Sequence, residues 1–132
     1  MKQLSSIDTN FLCLDSETTQ QTIGLLALVE GELKFNSPLE ASENLVNQYP
    51  ELKNKICKIN GKYFQKEDQT FSIKNHLFQS YISNNQTFTN CASELFSQKI
   101  ESSRPLWKII LINHLEVPKK LSPNQQSAIL FI

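Results

Sequence analysis

The sequence predicts an α+β fold, a mixed α/β sandwich, and three observations carry that prediction. Short apolar runs bounded by polar residues recur along the chain, as buried strands do. Stretches with apolar residues at helical spacing fall between some of these runs but not all of them. Asn60-Gly61 stands between two alternating segments, the strongest short-range signal for a hairpin. Helices and strands that are segregated rather than strictly alternating argue against a doubly wound parallel sheet. The 132 residues fit one domain. A chain of this size buries roughly two-thirds of its unfolded surface, enough for a real core.

Taken in order, Ser5 is placed to cap a short helical segment whose apolar face is Leu4, Ile7, Phe11 and Leu14. Residues 22–30 read TIGLLALVE, a buried strand, and Gly31 marks the turn after it. Pro38 suits the first position of a helix with Ser37 as its cap. That helix ends near Tyr49, because Pro50 disfavours helical geometry at the residue before it. Residues 55–66 form the hairpin around Asn60-Gly61. Residues 71–81 alternate, with Phe71, Ile73, Asn75 and Leu77 on one face, and are predicted to be a strand. Over 87–100, Thr89 as cap and Cys91, Ala92, Leu95, Phe96 and Lys99 at helical spacing predict an amphipathic helix. Residues 107–115, WKIILINHL, are a strand, 118–126 a polar loop, and 127–132, SAILFI, a final buried strand. Chains seldom finish in a bare apolar run, so the sequence reads as though it stops inside a sheet.

Composition removes several function classes. Thirteen basic and 13 acidic residues give zero net charge, without the surplus of Lys and Arg that nucleic-acid binding requires. At 39% hydrophobic and 20% charged, the chain is too apolar for a disordered segment. No apolar run approaches the ~20 residues that span a bilayer, and the N-terminus lacks the apolar segment of a signal peptide. A cytoplasmic protein is expected, with peripheral association at a membrane or lipid-droplet surface compatible with these features. Cys13, Cys57 and Cys91 lie far apart in an odd count, which predicts free thiols rather than a disulfide framework or a zinc site. Asn85-Gln86-Thr87 is a glycosylation sequon without a secretion signal to give it meaning.

With only Gly24, Gly31 and Gly61, the chain has no glycine-rich phosphate loop. His76 and His114 have no HxxxH or HExxH partner, and no GxSxG elbow is present, so no metal site is expected. Asp8, Asp15, Glu17 and Asp68 are scattered, and each is expected to be solvated surface.

The most unusual stretch is Ser103-Arg104-Pro105-Leu106-Trp107. Arg104 is the only arginine among 13 basic residues and Trp107 the only tryptophan. An arginine where lysine is otherwise used throughout suggests planar, bidentate hydrogen bonding. Pro105, with fixed φ and no N–H, suits the start of a strand that Trp107 then anchors to the core. The expected role of this corner is structural.

These segments together resemble the wax ester synthase/diacylglycerol acyltransferase family of bacterial O-acyltransferases. Residues 4–12, LSSIDTNFL, are similar to the family's opening LSxxDxxFL, which includes Asp8 and Phe11. Glu17 stands where the family often has a glutamate, and residues 23–31 are similar to its first strand. Residues 71–77, FSIKNHL, resemble its FDLDYHV-type segment and set His76 on a family histidine. Arg104-Pro105-Leu106-Trp107 is the family's RPLW, and residues 127–132 resemble the strand that leads into its HHxxxDG motif. The departures are Gln21-Thr22 in place of Met-His, Lys108 in place of an acid after PLW, and HHxxxDG itself, since no adjacent histidines occur.

The resemblance implies part of the N-terminal lobe of a chloramphenicol acetyltransferase-like, CoA-dependent acyltransferase, ending just before HHxxxDG. The whole enzyme would transfer an acyl group from acyl-CoA to a long-chain alcohol or diacylglycerol, with no cofactor beyond acyl-CoA as substrate. In the family the second histidine of HHxxxDG is the general base on the acceptor alcohol. Neither His76 nor His114 stands in that motif, so no residue of this chain is assigned catalysis, and the chain alone is expected to be inactive. Asp8, Phe11, Arg104, Pro105, Leu106 and Trp107 are then structural motif positions, with His76 a weaker candidate. A free-standing, non-catalytic lobe that binds lipid or a protein partner is the alternative. A condensation-type enzyme using carrier-protein thioesters shares the superfamily, but LSxxDxxFL favours the wax ester synthase side.

Overall fold

The structure is a computed structural model and describes residues 1–16, 18–83, 85–114 and 126–132. Glu17, Leu115 and nearly all of the loop expected over 118–126 lie outside the described residues. The elements run β1 (Lys2–Gln3), α1 (Ser6–Leu14), β2 (Leu25–Glu30), α2 (Asn36–Gln48), β3 (Asn54–Ile59), β4 (Lys62–Glu67), β5 (Leu77–Ile82), α3 (Phe88–Phe96), β6 (Ile109–His114) and β7 (Gln126–Phe131). Two 3₁₀ turns, Pro50–Lys53 and Ile73–Asn75, precede β3 and β5.

The hairpin forms as its turn residues dictate. Asn60 and Gly61 take φ of 49° and 79°, the paired left-handed conformation of a type I′ turn, and Ile59 pairs with Lys62 across it. β1 adds to β4, giving an antiparallel sheet in the order β1-β4-β3. The second sheet is β2-β7-β6-β5. Its β5 and β6 are parallel and its other pairs antiparallel. Parallel neighbours need a crossover connection, and α3 provides it.

The apolar ending of the chain is an interior strand, β7 lying between β2 and β6. Alternation along β6 and β7 serves two faces. Ile110, Ile112, Ala128 and Leu130 pack with Ile82, Cys91 and Ala92 under α3. Ile109 and Leu111 pack with Leu77 on the other face, with Leu33, Phe35, Leu39 and Trp107 around them. A helix layer on each side of the sheet explains why β6 is buried at five successive positions, apolar at the first four, and wholly buried at Leu111 and Ile112. Gly24 makes room for α3: a Cβ there would come within 2.5 Å of Phe96 Cε2.

Four expectations are corrected. Ser37 does not cap α2; the helix starts at Asn36, two residues before Pro38, its cap position Phe35 makes no side-chain bond, and Ser37 and Pro38 lie in the first turn. Proline is tolerated there because those N–H groups have no intrahelical partner. The cap of α3 is Thr87, whose hydroxyl accepts from Asn90 N at 3.1 Å, not Thr89, and the helix ends at Phe96. The strand expected from Phe71 begins only at Leu77, because Ile73–Asn75 winds into a 3₁₀ turn closed by His76 N donating to Ile73 O at 2.9 Å. The strand expected from Trp107 begins at Ile109, because Trp107 N is used in the turn before it.

Asp68 is also not solvated: it is 5% exposed. Its Oδ1 accepts from Thr70 N at 3.1 Å and Thr70 Oγ1 at 2.8 Å, and pairs with Lys55 Nζ at 3.2 Å. The Thr70 hydrogen bonds, with help from Lys55, hold its pKa below the usual 3.8 despite the opposing effect of burial. A carboxylate held down in the folded state stabilises above its unfolded pKa and loses that contribution as pH falls through the folded one. Asp68→Asn is therefore expected to lower stability at neutral pH, with the deficit relative to the parent shrinking below pH 3.8. Urea unfolding across that range measures it.

Candidate functional site

The Arg104–Trp107 corner is built from two tight turns. Arg104 N donates to Glu101 O at 3.4 Å, and Trp107 N donates to Pro105 O at 2.9 Å. The second bond closes a three-residue turn with Leu106 at its apex, and its negative φ makes it an inverse γ-turn. Pro105 is fully buried beneath it. Trp107 Nε1 donates to Leu52 O at 2.8 Å, which ties the corner to the 3₁₀ turn after α2.

His76 sits inside this corner rather than at its rim, 3% exposed. Its ring stacks on Trp107 with centroids 4.5 Å apart and on Phe71 at 5.1 Å. Nδ1 lies 2.8 Å from Trp107 O. A carbonyl only accepts, so Nδ1 carries the hydrogen and the tautomer is fixed. The His76 carbonyl in turn accepts from Ile109 N at 2.7 Å, starting the parallel β5–β6 ladder. His76 thus joins β5 to β6 through both backbone and ring.

Beside the corner opens a cavity of about 380 Å³, bounded by the start of β5, the segment after α3 and Arg104–Lys108. Lys74, Lys99, Arg104 and Lys108 line it, and Glu101 is its one carboxylate. Arg104 Nε is 3.5 Å from Glu101 Oε2, a single contact between exposed side chains and not the bidentate hydrogen bonding that a lone arginine at this position suggested. Burial pushes the Lys108 pKa below the usual 10.5.

Asp8 and Phe11 are elsewhere. Asp8 Oδ2 accepts from Ser5 Oγ at 2.6 Å while Asp8 N donates to that hydroxyl at 3.1 Å, so both residues cap α1. Phe11 is 53% exposed, on a helix that buries none of its side chains. Among the described residues, no hydrogen bond or core cluster joins α1 to the Arg104–Trp107 corner. His114 meets the edge of Phe88 at 5.4 Å, on the α3 side of the sheet.

A polar cluster that the sequence reading missed lies on the other face. Asn113 Nδ2 donates to Leu33 O at 3.0 Å and its Oδ1 accepts from Leu33 N at 3.1 Å. Ser127 Oγ lies 2.7 Å from Asn113 Oδ1 and 2.5 Å from Gly31 O. The available signal was an asparagine at the end of an otherwise unbroken apolar strand, since a buried polar side chain must find partners.

Comparison with known proteins places this geometry. The wax ester synthase/diacylglycerol acyltransferase catalytic domain matches residues 4–119. A probable diacylglycerol O-acyltransferase, tgs3, of Mycobacterium tuberculosis is 24% identical over 123 residues, covering 86% of this chain and 45% of the relative. The wax ester synthase/diacylglycerol acyltransferase of Marinobacter aquaeolei VT8 superposes with a TM-score of 0.71 at 17% identity, covering 98% of this chain and 33% of that one. The starter condensation domain of rhizomide synthetase superposes at 0.63 with 15% identity, covering 98% of this chain and 31% of that one. The chain thus spans about half the length of the curated relative and a third of these structures, and its fold is a partial lobe of theirs. From the capped α1 to the RPLW corner and the strand it launches, the chain belongs to the wax ester synthase/diacylglycerol acyltransferase family.

Proposed function

We propose that this chain forms the N-terminal portion of an acyl-CoA-dependent O-acyltransferase that esterifies a long-chain alcohol or diacylglycerol. The observation that carries the reading is the family match over residues 4–119, which runs through nearly every element described. In the reaction, a base takes the acceptor hydroxyl proton, the oxygen attacks the thioester carbonyl, and the CoA thiolate leaves and is protonated. The base is contributed by residues outside these 132, because the two histidines here are otherwise engaged. His76 is packed against two aromatic rings with Nδ1 committed to Trp107 O, and His114 packs against Phe88. This chain's part is to hold β6 and β7 in register, and with them the direction in which the following residues leave the sheet. The exposed apolar side of α1, formed by Ile7, Phe11 and Leu14, supports an incomplete fold in which further chain covers that face.

The test is thiol release from palmitoyl-CoA in the presence of hexadecanol or dioleoylglycerol. The chain alone is expected to release none above the uncatalysed rate. Mixed with the remaining two-thirds of a family acyltransferase as a separate polypeptide, it is expected to support acceptor-dependent release. Acceptor-dependent turnover by the 132 residues alone would overturn the placement of the base. Association with the second polypeptide without any turnover would favour a non-catalytic binding module.

A further inference from the structure

The cavity beside the RPLW corner has a charge that the rest of the molecule does not share. The chain is neutral, with 13 basic and 13 acidic residues. Around this one cavity stand four cations, Lys74, Lys99, Arg104 and Lys108, against the single carboxylate of Glu101, a net charge of three positive. Among the described residues, none of the three lysines has an ion-pair partner, and Glu101 engages Arg104 only through Nε. The terminal guanidinium nitrogens therefore remain free to donate as a planar fork. Lys108 is partly withdrawn from water, which leaves its charge short of compensation. Like charges gathered around a concave wall raise the local concentration of an anion.

We propose that this cavity is a binding site for a phosphate group. A carboxylate ligand would satisfy one cation, whereas a phosphate offers several charged oxygens to several donors at once, and arginine's fork matches that geometry. The volume of about 380 Å³ accommodates a small phosphorylated group. The basic residues surround a pocket instead of forming the extended stripe that a nucleic-acid backbone follows. The site stands on its charge and shape and does not depend on the acyltransferase reading. Two sources share the chemistry: a nucleotide-type phosphate and the headgroup of an anionic lipid.

Trp107 is the only tryptophan and lines the cavity, so its fluorescence reports occupancy directly. Titration of the intact chain with inorganic pyrophosphate is expected to give a saturable change. The K74Q/K99Q variant, which alters two exposed side chains, is expected to weaken binding by about tenfold or more. Arg104→Lys keeps the charge and loses the fork, and is expected to weaken it less. The control K62Q/K66Q removes the same charge from the hairpin and is expected to leave binding unchanged. Adenosine 3′,5′-bisphosphate and phosphatidic acid vesicles then assign the source, the tighter of the two being the natural chemistry. No saturable signal at millimolar pyrophosphate would overturn the proposal. Equal weakening by K62Q/K66Q would also overturn it, by showing a general charge effect. Neither result bears on acyl transfer, which is read by thiol release.

Discussion

Trp107→Ala is expected to cost about 3 kcal/mol of unfolding free energy, near the lower end for truncating a large aromatic because the ring is only partly buried. Three losses combine. The ring no longer covers the Leu77–Ile109–Leu111 cluster. His76 keeps its contact with Phe71 but loses its stacking partner at 4.5 Å. The carbonyl of Leu52 loses its donor, Nε1 at 2.8 Å. Trp107→Phe separates these effects in part, since it keeps an aromatic ring for the stack while removing the donor and the rest of the indole; about 1–2 kcal/mol is expected. Urea unfolding followed by circular dichroism measures both. Equal losses for the two variants would mean that the hydrogen bond, and not the stack, holds the corner.

Asn113→Ala is expected to cost about 2–4 kcal/mol, more than its modest volume suggests, because it strands polar groups. Leu33 loses the partners of both its N–H and its carbonyl, and the Ser127 hydroxyl keeps only Gly31 O. Asn113→Asp is expected to be little better. A carboxylate cannot donate to Leu33 O, and it introduces a buried charge. Ser127→Ala is expected to cost about 1 kcal/mol, and the double variant less than the sum, because the two side chains share one network. Strict additivity in the unfolding free energies would contradict the network.

How much of this was legible in the sequence depended on range. Asn60-Gly61, the Ser5 cap and the apolar runs of β6 and β7 follow local rules, and the structure contains them; β2 also forms, but as an edge strand with Leu25 and Leu28 more than half exposed and not as the buried strand its apolar run suggested. RPLW and LSxxDxxFL pointed to the right family because a motif needs no knowledge of what its residues touch. The errors arose where tertiary contacts override local pattern. Phe71 and Ile73 alternate like strand residues, yet Phe71 N donates to Asp68 O, and the buried Asp68 carboxylate, held by Thr70 and Lys55, bends the chain there. Asp68 looked solvated because its partners, Lys55 across the hairpin and Thr70 in the following turn, gave no local signal. The convergence of Lys74, Lys99, Arg104 and Lys108 was invisible for the same reason: they come from three separate segments.

The claim that this chain supplies scaffold and not chemistry is tested most directly at His76, the one histidine in the motif-bearing corner. His76→Asn preserves a donor where Nδ1 meets Trp107 O and removes the second ring nitrogen. It should be assayed in the two-polypeptide acyltransferase, at a temperature where parent and variant are equally folded. An architectural His76 leaves kcat within about twofold of the parent. A fall in kcat of about a hundredfold to ten-thousandfold, with KM unchanged, is the signature of a lost general base, and would contradict the assignment of the chemistry to residues outside this chain.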